Sequence, residues 1–150
     1  MCRWWGTDPK TKFQMDNVFR SCSGANGYRL SNPNVMATVC LLGSLRVFEK
    51  TSMEAMRQKS LLLTGYLETL IKTLPHFHII TPSNPQERGC QLSLLFEDGW
   101  MMKVFEYLSA RGVICDERKP NVIRIAPTPL YTRFENVFKF YQLLKEALEQ

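Results

Sequence analysis

A chain of 150 residues with 45% hydrophobic content has the size and the apolar material for a folded domain with its own core, which excludes a disordered tail. The net charge of +5 arises from dispersed lysines and arginines, with no basic run interleaved with stacking aromatics, so nucleic acid is not an expected partner. No apolar run reaches the roughly eighteen residues of a membrane span, and Met1 to Lys10 lacks a signal peptide's apolar stretch, so a soluble protein away from membranes is expected.

Met1 to Pro33 shows turn-forming dipeptides such as Asp8-Pro9, clustered aromatics and no sustained period. A free-standing domain rarely begins this way. Asn32 can cap a helix whose first position is Pro33, where a missing N–H costs nothing, and that helix is expected to run to about Glu49. Its apolar residues, Val35, Val39 and Leu42 on one stripe and Ala37, Leu41, Leu45 and Phe48 on another, cover most of the circumference, which predicts packing on both sides. Thr51-Ser52-Met53-Glu54 reads as a capping box opening a second helix. Along it Met53, Met56, Ser60, Leu63, Leu67, Leu70 and Leu74 alternate in steps of three and four, over too short a stretch to favour a coiled coil above packing on a domain.

After Pro75, Phe77 to Thr81 and Gly89 to Phe96 read as strands, followed by a helix from Trp100 to Arg111 that stops at Gly112. Val113 to Cys115 and Val122 to Ala126 read as two further strands around a turn from Asp116 to Asn121. Thr132 to Glu135 then caps a last helix expected to bury Phe134, Phe138, Tyr141, Leu144 and Leu148. The order predicts an α+β fold, with long helices first and then a small antiparallel-type sheet covered by helices on one side.

Arg124 carries the most chemical information, because a guanidinium inside the apolar run Val122 to Ala126 needs an anion to offset its desolvation. A ligand carboxylate held by two parallel bonds would serve. So would an internal Asp or Glu, which composition alone favours. The Trp4-Trp5-Gly6 pair can donate an indole N–H to a phosphate or simply pack. Asn32, at a helix start, is either a cap or part of an anion site. His76 and His78 have no third ligand near them in sequence, so no metal is expected. Gly24 and Gly27 lack dinucleotide-loop spacing, and Ser21 and Ser23 lack a nucleophile elbow. Cys2, Cys22, Cys40, Cys90 and Cys115 form no C-x-x-C pair and read as reduced thiols of a cytoplasmic protein.

Taken together, Trp4-Trp5-Gly6, Tyr28 to Pro33, Ser60 to Tyr66, Ile80 to Ser83, Glu87 to Leu92 and Arg124 to Pro127 resemble kynureninase, over almost the whole chain. The resemblance implies hydrolysis of L-kynurenine or 3-hydroxykynurenine to L-alanine and an anthranilate with pyridoxal phosphate (PLP), in tryptophan catabolism and NAD biosynthesis. It also implies a cytoplasmic homodimer of the aspartate-aminotransferase-like fold (fold type I), with PLP at the subunit interface. On this reading residues 1–33 end the large PLP domain, 34–74 connect the domains and 75–150 form the C-terminal small domain. Trp4 and Asn32 match the family's PLP-contacting tryptophan and asparagine, and Arg124 matches the arginine that holds the substrate's α-carboxylate. Thr7 departs from the histidine the family commonly shows after Trp-x-Gly.

The family's Schiff-base lysine lies upstream of the tryptophan loop. None of Lys10, Lys12, Lys50, Lys59, Lys72, Lys103, Lys119, Lys139 and Lys145 has its context. The chain is therefore expected to be a fragment or truncated form of a subunit, without a catalytic residue of its own and inactive alone. The alternative is a stand-alone amino-acid-binding or protein-interaction module, in which Arg124 holds a carboxylate and the Trp4 loop docks a partner.

Overall fold

The computed structural model describes residues 4–150, Trp4 by its backbone only; the thiol of Cys2 and the Trp4 side chain therefore lie outside the described residues. The chain divides into two compact units, Met1–Lys50 and Thr51–Gln150.

In the first unit, short 3-10 turns at Trp4–Gly6 and Gly24–Tyr28 pack on each other. The chain segments between them are tied by bonds from Cys22 N to Gly6 O and from Asp8 N to Arg20 O, each 2.8 Å. The turns approach so closely that a Cβ on Gly6 would lie 2.3 Å from the Gly27 carbonyl oxygen, so only glycine fits there. Helix α1 follows, Val35–Phe48. Its N-cap is Asn34, whose Oδ1 accepts from Ala37 N at 3.1 Å, and not Asn32 as the sequence suggested. Both residues are amides, but Asn34 sits just before the first residue in helical conformation, where its oxygen can reach the free N–H groups. Among the described residues the expected packing on both sides of α1 is not found. Val35, Met36, Val39, Leu41, Leu42, Leu45, Val47 and Phe48 are all exposed.

The second unit contains helices α2 (Met53–Ile71), α3 (Trp100–Ala110) and α4 (Phe134–Leu148), with strands β1 (Phe77–Ile79), β2 (Leu92–Phe96), β3 (Asp116–Arg118) and β4 (Val122–Ile125). The sheet is antiparallel with strand order β1-β2-β4-β3, so two local hairpins meet along the β2–β4 seam, and α3 connects them. One face is apolar and covered. Leu92, Leu94, Phe96 and Ile123 project from it into a core with Leu63, Leu67 and Ile71 of α2, Val104 and Leu108 of α3, and Leu144 and Leu148 of α4. This is the α+β layer arrangement that the sequence predicted.

Several boundaries move for identifiable reasons. The cap of α2 is Ser52, one residue later than Thr51, with Oγ accepting from Ala55 N at 3.1 Å. Glu54, in the first turn, has its carboxyl held below the usual carboxylate range by its own backbone N–H and then by Ser52. Ser52→Ala is expected to lower stability by about 1 kcal/mol, readable as a lower thermal midpoint, whereas Thr51→Ala should leave it within about 0.5 kcal/mol. Helix α2 ends at Ile71, short of Leu74.

Asp116–Arg118, read from sequence as turn, is strand β3, and Val113 to Cys115 is not strand. The register Asp116↔Arg124 and Arg118↔Val122 shortens the turn to Lys119–Asn121. In α4 the buried face is Val137, Phe140, Leu144, Ala147 and Leu148, whereas Phe134 and Phe138 are 45% and 42% exposed. The aromatic stripe misled because ring size outweighed phase. Phe134 still meets Tyr66 edge-on, with centroids 5.7 Å apart. The α4 cap is Arg133, whose backbone N–H donates to Asn136 Oδ1 at 2.9 Å, in place of Thr132.

Candidate carboxylate site

Strand alternation places Arg124 on the face of the sheet opposite the core, because Ile123 is buried on the helix side. The register aligns Ser93 of β2, Arg124 of β4 and Asp116 of β3 in one row across that open face. The Arg124 side chain is 33% exposed, so it is not the fully desolvated cation that its apolar sequence neighbours suggested. The neighbours Ile123 and Ile125 are apolar on account of the other face.

Arg124 has an internal partner. Its Nε donates to Asp116 Oδ2 at 2.7 Å, and its Nη2 donates to the same oxygen. Arg118 Nη2 also reaches this oxygen, at 2.9 Å. Two guanidinium groups thus share one carboxylate, and the cluster keeps a net positive charge. The Asp116 bonds occupy one edge of the Arg124 fork. The opposite edge, which carries Nη1, has no protein partner among the described residues. A pair this exposed is worth about 0.2–1 kcal/mol, enough to orient Arg124 but not to shut out a ligand anion. Asp116 was missed in the sequence because the reading placed it in a turn. The signal was the acid lying opposite Arg124, visible only once the hairpin register is known.

Cys115, the residue before Asp116, has its thiol pushed up, first by burial and then by the Asp116 charge. It therefore stays protonated near neutral pH and is a poor nucleophile. A cavity of about 190 Å³, lined by Leu67, Cys115, Ile125, Pro127, Val137 and Phe140, lies on the helix side of β4. Its lining carries no charged side chain.

In the first unit Asn32 is exposed and plays no capping role, which leaves its amide available to a ligand. Lys12 Nζ sits over the Trp5 ring, 4.1 Å from the centroid. Four further lysines have protein contacts: Lys59 Nζ donates to Pro129 O at 2.7 Å, Lys103 lies by the Trp100 ring, and Lys139 and Lys145 pair with Glu135 and Glu149. His76 bonds Glu97 Oε2 at 2.8 Å and stacks on Trp100 at 4.0 Å, while His78 stands exposed on β1. Among the described residues no group of three His, Cys, Asp or Glu side chains could hold a metal. No helix among them is long and apolar enough to cross a membrane.

Residues 56–144 match the family model of the kynureninase C-terminal domain. The kynureninase of Monosiga brevicollis is 48% identical over 152 aligned positions, which cover 97% of this chain and 33% of that protein. Kynureninase 2 of Aspergillus oryzae is 45% identical, covering 98% and 32%. The chain thus spans about a third of the length of these relatives. Among solved structures, the cystine C-S lyase C-DES superposes with a TM-score of 0.78 at 16% identity, over 97% of this chain and 37% of that one. The cysteine desulfurase CsdA of Escherichia coli gives 0.73 at 16% identity, over 87% and 35%. At that identity the likeness is one of fold.

Proposed function

The chain belongs to the kynureninase family, and from that premise we propose that it works as the C-terminal third of a longer subunit that hydrolyses L-kynurenine or 3-hydroxykynurenine to L-alanine and an anthranilate. The observation that carries the reading is Arg124, an oriented guanidinium with one free edge on the open face of the sheet. That edge presents parallel N–H donors to a planar α-carboxylate, a geometry lysine cannot offer. Holding this group fixes the rest of the amino acid relative to the reacting bond.

The residues here fit one border of a PLP site. Asn32 offers an amide free of its helix, and the Gly6–Gly27 contact fixes the turn that carries Trp4. When bound, PLP would supply the electron sink that allows the bond between the substrate's β-carbon and its aryl carbonyl carbon to break. No lysine in this chain has the family's setting, so the anchoring amine is assigned to the preceding part of the subunit. In the organisation proposed, residues 1–33 complete the cofactor domain, 34–74 connect, and 75–150 deliver Arg124. The assembled enzyme is a homodimer in the cytoplasm.

The chain alone is expected to release no anthranilate from kynurenine and to develop no visible band of lysine-bound PLP. Joined to the preceding two thirds of a kynureninase subunit it should do both. Turnover by the 150-residue chain alone would refute the division of labour. A stand-alone module is not favoured, because the likeness to kynureninases extends over nearly the whole chain.

A further inference from the structure

We infer that Asp116 is a positioning residue for carboxylate recognition: it grips the inner edge of Arg124 and turns the outer edge toward the incoming amino acid. The inference rests on the proposed role of Arg124 and adds a residue that the sequence reading had placed in a turn. Nε and Nη2 of Arg124 both reach Oδ2 of Asp116, so the inner edge of the fork is turned toward the acid and the outer edge, with Nη1, away from it. Arg118, itself more exposed than Asp116, reaches the same oxygen at 2.9 Å. Because two cations share one anion, Asp116 orients the fork without neutralising the site. A lone arginine would spread over its rotamers and sample the productive geometry only part of the time. A second anion on the outer edge would have neutralised it. The arrangement therefore suits a ligand that brings one carboxylate and leaves with it.

The test uses the assembled subunit. Asp116→Asn keeps the shape and removes the charge, and it is expected to raise the KM for kynurenine about threefold to fivefold while kcat stays within about twofold. Asp116→Glu, which keeps the charge, should recover part of that loss. Inhibition is compared for a substrate analogue bearing the α-carboxylate and for its decarboxylated counterpart. Only the first should weaken in Asp116→Asn. Equal weakening of both analogues would mean that Asp116 serves the fold alone, and an unchanged KM would mean that Arg124 needs no guide; either result overturns the inference. If Asp116→Asn does not accumulate as folded protein, the Glu variant decides, since unequal weakening of the two analogues is expected there as well. Arg124→Ala is measured in parallel. If it binds kynurenine normally, the reading of the site itself fails, whereas an impaired Arg124→Ala beside an unaffected Asp116→Asn overturns only the present inference.

Discussion

Arg124→Ala in the assembled subunit is expected to reduce kcat/KM for kynurenine by about 10²–10⁴-fold, most of it through KM. The size follows from losing two charge-assisted bonds to the α-carboxylate, each worth roughly 1.5–3 kcal/mol, at about 1.4 kcal/mol per decade. Arg124→Lys should recover little, because an ammonium cannot present two parallel donors. Folding should hardly change in either variant, since the pair with Asp116 is half-exposed and Arg118 still serves the carboxylate. Steady-state kinetics together with a thermal melt separate the two effects. A variant with native KM would remove the carboxylate role from this residue.

The largest loss of stability is expected at Leu94→Ala. Leu94 is fully buried in the middle of β2, paired with Ile79 on one side and Ile123 on the other. Removing its side chain leaves a void in the core that Leu94 shares with helices α2, α3 and α4, where helices and sheet are already close-packed. A loss of about 2–5 kcal/mol is expected, seen as a lower urea midpoint at unchanged slope. Its neighbour Leu95 points to the other face and is 38% exposed. Leu95→Ala should cost about 1 kcal/mol or less. Equal effects at the two positions would contradict the one-sided core.

Period and punctuation made most of the second unit readable. The α+β order, the helix ending at Gly112 and the strand that closes at Phe96 all follow from local patterns that the tertiary structure respects. Gly112, with φ +76°, sits where an L side chain is disfavoured, so its stop signal was physical. The failures share a cause. Capping by Asn34 and Ser52, in place of Asn32 and Thr51, depends on which neighbouring polar residue reaches the first free N–H, and sequence leaves neighbours nearly equivalent. In α4 the rings of Phe134 and Phe138 drew attention away from Val137 and Ala147, which occupy the inner face. At the site, Arg124 was legible because a cation in an apolar run is unusual. Asp116 was not, because its importance comes from cross-strand register.

That register has a further consequence. Asp116 and Arg124 lie only eight positions apart, in a hairpin closed by Lys119–Asn121, whereas the rest of the sheet is reached across the β2–β4 seam. Closing so short a loop carries a small entropic penalty and depends little on distant packing. The proposed carboxylate grip and its acid partner therefore share one short ribbon, whose other face is anchored in the core through Ile123.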